Sequence, residues 1–171
     1  AMGIKQMPQV VIFMGSKSDE EKVAPCVDVL RGLGVSCAIT VSSAHRTPDR
    51  TVELVRRYEA EGAQVFICAA GMAAHLAGAV AARTVRPVIG IPIGGATLAG
   101  MDALFSTVQM PPGFPVATVA LDKAGARNAA WLAAQILALH DPELAHQIRI
   151  SRERFKSDVA VAGAEIEAKY C

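Results

Sequence analysis

The chain has 171 residues, and a chain of this length can bury roughly 70% of its unfolded surface around a single core. It is 52% hydrophobic but only 5% aromatic, so its core must be built from Ala, Val, Ile and Leu. Seventeen basic and sixteen acidic residues leave a formal net charge of +1, which excludes the broad basic surface of a nucleic-acid-binding protein. We expect one catalytic domain, residues 1–171.

Short apolar runs alternate with longer amphipathic or alanine-rich segments, as in repeated βαβ units. The pattern predicts strands at residues 9–14, 35–41, 64–70, 87–93 and 115–121. These strands lack strict polar alternation, so we expect both of their faces to be covered. Helices are predicted at residues 19–33, 48–62, 74–84, 102–109 and 125–139. Right-handed crossovers between parallel strands predict a three-layer αβα sandwich with a flavodoxin-like sheet.

Helix ends carry recognisable signals. Asp19 and Thr47 stand where N-caps belong, and Gly34 and Gly62 stand where helices stop. The predicted core spans about residues 9–140.

A C-terminal helix and tail occupy about residues 141–171. Pro142 opens an extra helix through about residue 157. This helix has no sheet position to fill, so it either covers the domain or packs against another subunit. The tail 158–171 adds helix or disorder at the periphery.

Ligands of such sheets bind at the carboxyl ends of the strands, so the loops after strands one to three are the places to inspect. The first loop reads GSKSD. Gly15 permits a tight turn, and the hydroxyls of Ser16 and Ser18 join free helix-start amides in a cradle suited to phosphate. Asp19 either caps the helix or accepts hydrogen bonds from sugar hydroxyls. The loop has neither a Walker A nor a dinucleotide-binding glycine pattern.

The second loop reads SSAHRTP and concentrates polar chemistry in one connection. Arg46 offers planar, bidentate donors to phosphate or carboxylate, and the hydroxyls of Ser42 and Ser43 can hydrogen-bond oxygens. His45 titrates near neutral pH and can give and take a proton in one turnover. The alternative is that His45 is only a surface or capping group.

The third loop, residues 71–78, is rich in small residues, so its backbone can approach a ligand closely. Gly71 and Ala74 leave room, while His75 and Leu76 lie near the start of the next helix. The alternative is a buried helix with a satisfied histidine. The loop 94–100 is either a lid or a plain connection.

The four cysteines are widely spaced and form no CxxC pair, and nothing at the N-terminus resembles a signal peptide. We therefore expect a cytoplasmic protein. The longest apolar run, residues 64–82, contains Gln, Gly and His, so we expect no membrane span. No set of His, Cys, Asp or Glu has zinc-like spacing, and His140 and His146 are expected to be solvated.

Five segments are distinctive in their order and spacing: GSKSD at 15–19, SAHRTP at 43–48, AAHL at 73–76, TVQMPPGFPVATVA at 107–120, and Asn128–Ala129. Over roughly residues 9–157 the chain resembles the N5-carboxyaminoimidazole ribonucleotide mutases of purine biosynthesis. The resemblance implies a homo-octamer with active sites at subunit interfaces, a ribonucleotide substrate, and no metal or organic cofactor.

The resemblance also implies roles for single residues. His45 matches the general acid/base, with His75 as the second catalytic candidate, and Arg46 matches the phosphate-side arginine. Substrate-binding positions are assigned to the rest of the three loops: Gly15, Ser16, Ser18, Asp19, Ser43, Ala44, Gly71, Ala74 and Leu76. The implied reaction moves a carboxyl group from the exocyclic nitrogen to carbon four of the imidazole ring, through carbon dioxide held in the pocket.

Two alternatives remain. A second branch of the family carboxylates aminoimidazole ribonucleotide directly, and it typically has lysine where Arg46 stands and lacks the third-loop histidine. A flavodoxin-like binding module for a phosphosugar or flavin mononucleotide would bind without turnover. The chain departs from many relatives at Met72, where they have glycine, and at Ala77, where they have proline.

Overall fold

The computed structural model describes residues 7–95 and 97–171. The strands are β1 (Val10–Met14), β2 (Cys37–Val41), β3 (Val65–Gly71), β4 (Val88–Ile93) and β5 (Ala117–Thr118). The helices are α1 (Glu20–Gly32), α2 (Pro48–Ala60), α3 (Leu76–Ala81), α4 (Met101–Val108), α5 (Asp122–Ala138) and α6 (Pro142–Tyr170). The sheet is parallel in the order β2-β1-β3-β4-β5, which confirms the predicted flavodoxin-like fold.

Successive side chains of each strand point to opposite faces of the sheet, so every central strand feeds two cores. In β1, Val10 and Ile12 pack with α1, α5 and the start of α6, while Val11 and Phe13 pack with α2 and α3. All four side chains are fully buried. The two cores make the three layers of the predicted sandwich.

The register of the parallel strands brings their carboxyl ends to one edge of the sheet. Met14 pairs with Val41 on one side and with Ala69 on the other. The ladder continues into the loops, since the Gly15 N–H donates to the Ala69 carbonyl at 2.9 Å and the Ser42 N–H donates to the Met14 carbonyl at 2.9 Å. The first three loops are therefore tied together where they leave the sheet.

The prediction that all strands are covered on both faces is wrong for the two outer strands. β2 exposes 39% of Ile39 and 37% of Val41 because it lies at the edge of the sheet. The predicted strand at 115–121 is reduced to two residues, at the other edge. Pro115 has no N–H to give to a ladder, and edge strands tolerate such shortening.

Two helix ends differ from the sequence prediction. Asp19 and Thr47 occupy N-cap positions, but neither side chain bonds the first turn of its helix. Instead a 3-10 turn, Lys17–Asp19, precedes α1 and is capped by Ser16. Gly34 and Gly62 end their helices as predicted, with φ of 73° and 94°.

The last helix, α6, continues to Tyr170 instead of ending near residue 157, so the tail is helical. It begins where Asp141 accepts a hydrogen bond from the Leu144 N–H at 3.0 Å. Within the described ranges, no helix is both long enough and apolar enough to cross a bilayer.

Candidate functional site

A cleft of about 620 Å³ opens at the carboxyl ends of β1, β3 and β4. Eleven of the twelve predicted site residues line it: Gly15, Ser16, Ser18, Asp19, Ser43, Ala44, His45, Arg46, Gly71, His75 and Leu76. The twelfth, Ala74, is a buried residue of the third loop and does not line the cleft, whereas its neighbour Ala73 does. The three loops therefore converge as their positions after the strands predict.

The second loop is held by its own hydroxyl groups. Ser42 is buried, and its hydroxyl bonds the hydroxyl of Thr51 in α2 at 2.8 Å. Thr47 accepts from the Ser43 N–H and donates to the Ser43 carbonyl, both at 3.1 Å. These bonds close the loop on itself, so its exposed side chains project from a fixed backbone.

Arg46 bridges the second loop to the first. Its Nη2 donates to the Gly15 carbonyl at 3.1 Å, and its own N–H donates to the Ser43 hydroxyl at 3.1 Å. Among the described residues, no carboxylate forms a salt bridge with Arg46. The other guanidinium N–H groups are thus free to receive an anion such as a phosphate.

The first loop differs from the simple phosphate cradle expected at a helix start. The Ser16 hydroxyl already accepts from the Ser18 N–H at 3.3 Å and contacts the Ser18 hydroxyl at 2.9 Å. Gly15 has ordinary backbone angles, and an added Cβ would meet its neighbours at 3.7 Å, so the turn does not require glycine. The two serine hydroxyls remain as polar groups at the cleft.

Asp19 is the carboxylate of the cleft. Burial raises the pKa of its carboxyl group above the ordinary value, against the opposing effects of the Ser16 N–H and of Lys22, and Asp122 raises it further. A half-buried carboxylate with a raised pKa is a strong hydrogen-bond acceptor for hydroxyl groups, which relieve its desolvation.

His45 and His75 meet across the cleft. His45 Nε2 lies 2.7 Å from His75 Nδ1, and the ring planes are inclined at 76°. One of these two nitrogens must be unprotonated for the bond to exist, so the pair can pass one proton between the rings. Both rings are exposed, which leaves them accessible to a ligand.

The third loop approaches β4 closely. A Cβ on Gly71 would lie 3.1 Å from the Ile93 carbonyl oxygen, so a larger residue would push the two strand ends apart. Met72 follows with φ of 55°, in the left-handed region that favours glycine, and 75% of it is exposed. The departure from glycine at this position therefore has a conformational cost, of about 1 kcal/mol.

Sequence reasoning missed one wall of the cleft. Ile93, Gly94 and Gly95 line it from the end of β4. The sequence left two interpretations of loop 94–100, a lid or a plain connection. Ala96 of this loop lies outside the described residues. The strand order predicts this wall, because β4 lies beside β3 and both parallel strands end at the same edge of the sheet.

Among the described residues, the other depressions of the surface do not bring together two histidines, an arginine and a carboxylate. A larger depression of about 990 Å³ is lined by Arg56, residues 81–88 and residues 113–115, away from the three loops. His140 and His146 are exposed, as expected. Over the described ranges, no three His, Cys, Asp or Glu side chains cluster as a metal site.

The fold and the cleft together define a flavodoxin-like α/β protein with a small-molecule site at the switch point of its sheet. The chain belongs to the AIR carboxylase family, whose model matches residues 9–158.

Individual relatives agree with this assignment. A Thermotoga maritima protein named N5-carboxyaminoimidazole ribonucleotide mutase is 47% identical over 161 residues, covering 94% of this chain and 93% of the relative. An Escherichia coli K12 protein of the same name is 52% identical over 139 residues, covering 81% of this chain and 82% of the relative. The crystal structure of Treponema denticola PurE matches with a TM-score of 0.84 at 31% identity, covering 92% of this chain and 98% of the other. The family expected from the five sequence segments is confirmed.

Proposed function

We propose that this chain is a mutase of purine biosynthesis that converts N5-carboxyaminoimidazole ribonucleotide to 4-carboxy-5-aminoimidazole ribonucleotide. The observation that carries the proposal is the 2.7 Å contact of His45 with His75, in a cleft that also holds Arg46 and Asp19. This isomerisation needs one proton given and one proton taken back, and a histidine pair can do both. The names of the relatives support the same substrate.

The cleft offers separate places for the parts of a ribonucleotide. The free N–H groups of Arg46, together with the hydroxyls of Ser16 and Ser18, take the phosphate. Asp19 accepts hydrogen bonds from the ribose hydroxyls, which offset the desolvation of its carboxylate. The imidazole ring then lies toward the histidine pair and the third loop.

His45 acts first as an acid and then as a base. Its imidazolium protonates the carbamate nitrogen, the bond from nitrogen to the carboxyl carbon breaks, and carbon dioxide is released beside the free amine. Ring carbon four attacks the carbon dioxide, and neutral His45 removes the proton from that carbon. His75 holds the His45 ring through Nε2 and can store or return the shared proton. No proton is gained or lost overall.

Released carbon dioxide must be recaptured before it leaves. Gly71 and Ala73 line the cleft and have little or no side chain, so a small linear molecule fits beside the ring. Holding it there converts a bimolecular recapture into a local step.

The proposal also covers the oligomeric state and the cellular location of the protein. The four side chains Phe155, Val159, Ile166 and Tyr170 share one face of α6 and are 52%, 73%, 58% and 71% exposed. Such a face supports burial against other copies of the chain, as in a homo-octamer. A cytoplasmic location fits the four free cysteines.

The test is formation of the carboxylated ring product, followed by its ultraviolet absorbance. One reaction starts from freshly generated N5-carboxyaminoimidazole ribonucleotide in bicarbonate-depleted buffer, and a parallel one starts from aminoimidazole ribonucleotide with bicarbonate. We expect fast turnover in the first mixture alone, with Arg46 and His75 as markers of the mutase branch.

The other outcomes identify the alternatives. Turnover only in the second mixture indicates a direct carboxylase. Turnover in neither, with tight binding of flavin mononucleotide or a phosphosugar, indicates a binding module of the same fold.

A further inference from the structure

Three residues far apart in the sequence form a closed set of contacts beside the cleft. The Lys22 ammonium in α1 lies 3.0 Å from Asp122 Oδ1 at the start of α5. It also donates to the Gly94 carbonyl at 2.8 Å, while the Gly94 N–H donates to Asp122 Oδ1 at 2.8 Å. Both backbone polar groups of Gly94 are thus held by this ion pair.

The backbone is shaped to allow these contacts. Asp122 has φ of 56°, in the left-handed region that non-glycine residues rarely adopt. A Cβ on Gly94 would lie 3.0 Å from Asp122 Oδ2, so glycine is what lets the carboxylate approach. An unfavourable φ held by two charge-assisted hydrogen bonds points to a functional contact.

The contacts adjoin the substrate cleft. Gly94 lines the cleft wall, and Lys22 lies three residues after Asp19 on the same stretch of chain. Lys22 lowers the pKa of Asp19 and Asp122 raises it, although burial has the largest effect. The pair therefore acts both on the position of the wall and on the charge environment of Asp19.

We propose that Lys22 and Asp122 are positioning residues that clamp Gly94 and so fix the fourth wall of the substrate cleft. The inference rests on the proposed function for its kinetic consequence, but the clamp itself does not. The neighbouring ion pair of Lys123 with Glu21, 2.6 Å apart, also links α5 to α1. Among the described residues, this second pair neither bonds Gly94 nor lines the cleft.

The kinetic test compares Lys22→Met with Lys123→Met as the matched control. Each variant removes one ion pair between the same two helices. We expect Lys22→Met to raise KM roughly threefold to tenfold with little change in kcat, since a displaced wall weakens substrate binding. Lys123→Met should keep the wild-type constants, and the two variants should have similar Tm values.

A second comparison separates geometry from charge. Asp122→Asn keeps an oxygen for the Gly94 N–H but loses the charge that pairs with Lys22, so its KM should lie between those of the wild type and Asp122→Gly. Asp122→Gly relieves the left-handed φ but removes the clamp, so it should raise KM without lowering Tm. A merely structural role predicts an unchanged KM for Asp122→Gly, so KM is the measurement that separates the two roles.

Amide hydrogen exchange at Gly94 tests the clamp without substrate. Exchange should be slow in the wild type and in Lys123→Met and faster in Asp122→Gly. Wild-type KM in both Lys22→Met and Asp122→Gly, or equal effects of Lys22→Met and Lys123→Met, would overturn the positioning role. If the wild-type chain does not turn over the ribonucleotide, the proposed function fails, and exchange at Gly94 alone decides whether the clamp exists.

Discussion

At the scale of single residues, the proposed chemistry rests on the contact between His45 and His75. The two histidines are separated by 30 positions and project from the loops after β2 and β3. Sequence reasoning placed each near the carboxyl end of a strand, because parallel strands end at a common edge. The hydrogen bond between them depends on side-chain torsions and on the closed second loop, and neither follows from the residue pattern.

The role of His45 is tested by His45→Asn. Asparagine can keep a hydrogen bond to His75 but cannot carry the proton, so kcat should fall by about 100-fold to 10,000-fold while substrate still binds. Steady-state kinetics and equilibrium binding of the substrate measure the two effects. Substantial turnover in this variant would remove His45 from the acid/base role, and a loss confined to affinity would assign it to binding.

We expect ionised Asp19 to lower the stability of the folded protein and to increase its affinity for the substrate. Because its pKa in the folded protein is raised, the folded state holds the proton more tightly than the unfolded state does. Ionised Asp19 therefore costs stability well above the folded pKa, and the cost disappears as the pH falls below the unfolded value of about 3.9.

Asp19→Asn should therefore unfold at higher urea concentration than wild type at pH 7, with a gain that shrinks as the pH approaches 4. Substrate affinity should fall about tenfold or more, since the ribose hydroxyls lose a charged acceptor. Asp158→Asn, on the exposed part of α6, reports the general effect of removing one negative charge. An equal gain at both pH values, or in both variants, would contradict the burial argument.

At the scale of elements, β1 to β4 were predictable from apolar runs, whereas the length of β5 was not. Residues 10–14 and 65–69 are apolar and buried because both faces of these central strands are covered. An unbroken apolar run therefore predicts each of these strands directly. β5 is only two residues long because its pairing at the sheet edge depends on Pro115, which has no N–H, and on the adjacent strand β4. The apolar content of residues 115–121 does not determine that pairing. The early start of α5, at Asp122, involves a left-handed residue that no helix pattern predicts.

The contact of β4 with α4 gives an element-level prediction. A Cβ on Gly90 would lie 2.3 Å from Thr107 Cγ2 and 2.9 Å from Val116 Cγ1, so Gly90→Ala should destabilise the fold by about 1–3 kcal/mol. Gly163 in α6 has open space around it, so the same substitution there should stabilise by about 0.5–1 kcal/mol. Urea unfolding of both variants checks the two signs, and a neutral Gly90→Ala would show that β4 and α4 can move apart.

At the scale of the whole molecule, the chain presents a polar cleft at one edge of the sheet and an apolar face on α6. Sequence analysis gave the fold, the three converging loops and the family, because these depend on local pattern and strand order. The wall at Gly94 depended on contacts between distant segments, such as Lys22 with Asp122, and could not be read from spacing. The part of α6 beyond residue 157 is exposed, so no buried face marked its extent in the sequence.

The apolar face of α6 predicts self-association. With 3.6 residues per turn, positions 155, 159, 166 and 170 fall within an arc of about 60°, and all four side chains are more than half exposed. A contiguous exposed apolar stripe of this kind marks a surface that binds another protein, here a second copy of the chain. Ile166→Asp places a charge in the stripe, whereas Ala164→Asp adds the same charge about half a turn away on the same helix. Sedimentation velocity should show the wild type at about eight times its 17.9 kDa chain mass, Ala164→Asp unchanged, and Ile166→Asp as smaller species. A wild-type monomer would refute the octamer, and dissociation of both variants alike would mean that charge on α6, not burial of the stripe, controls assembly.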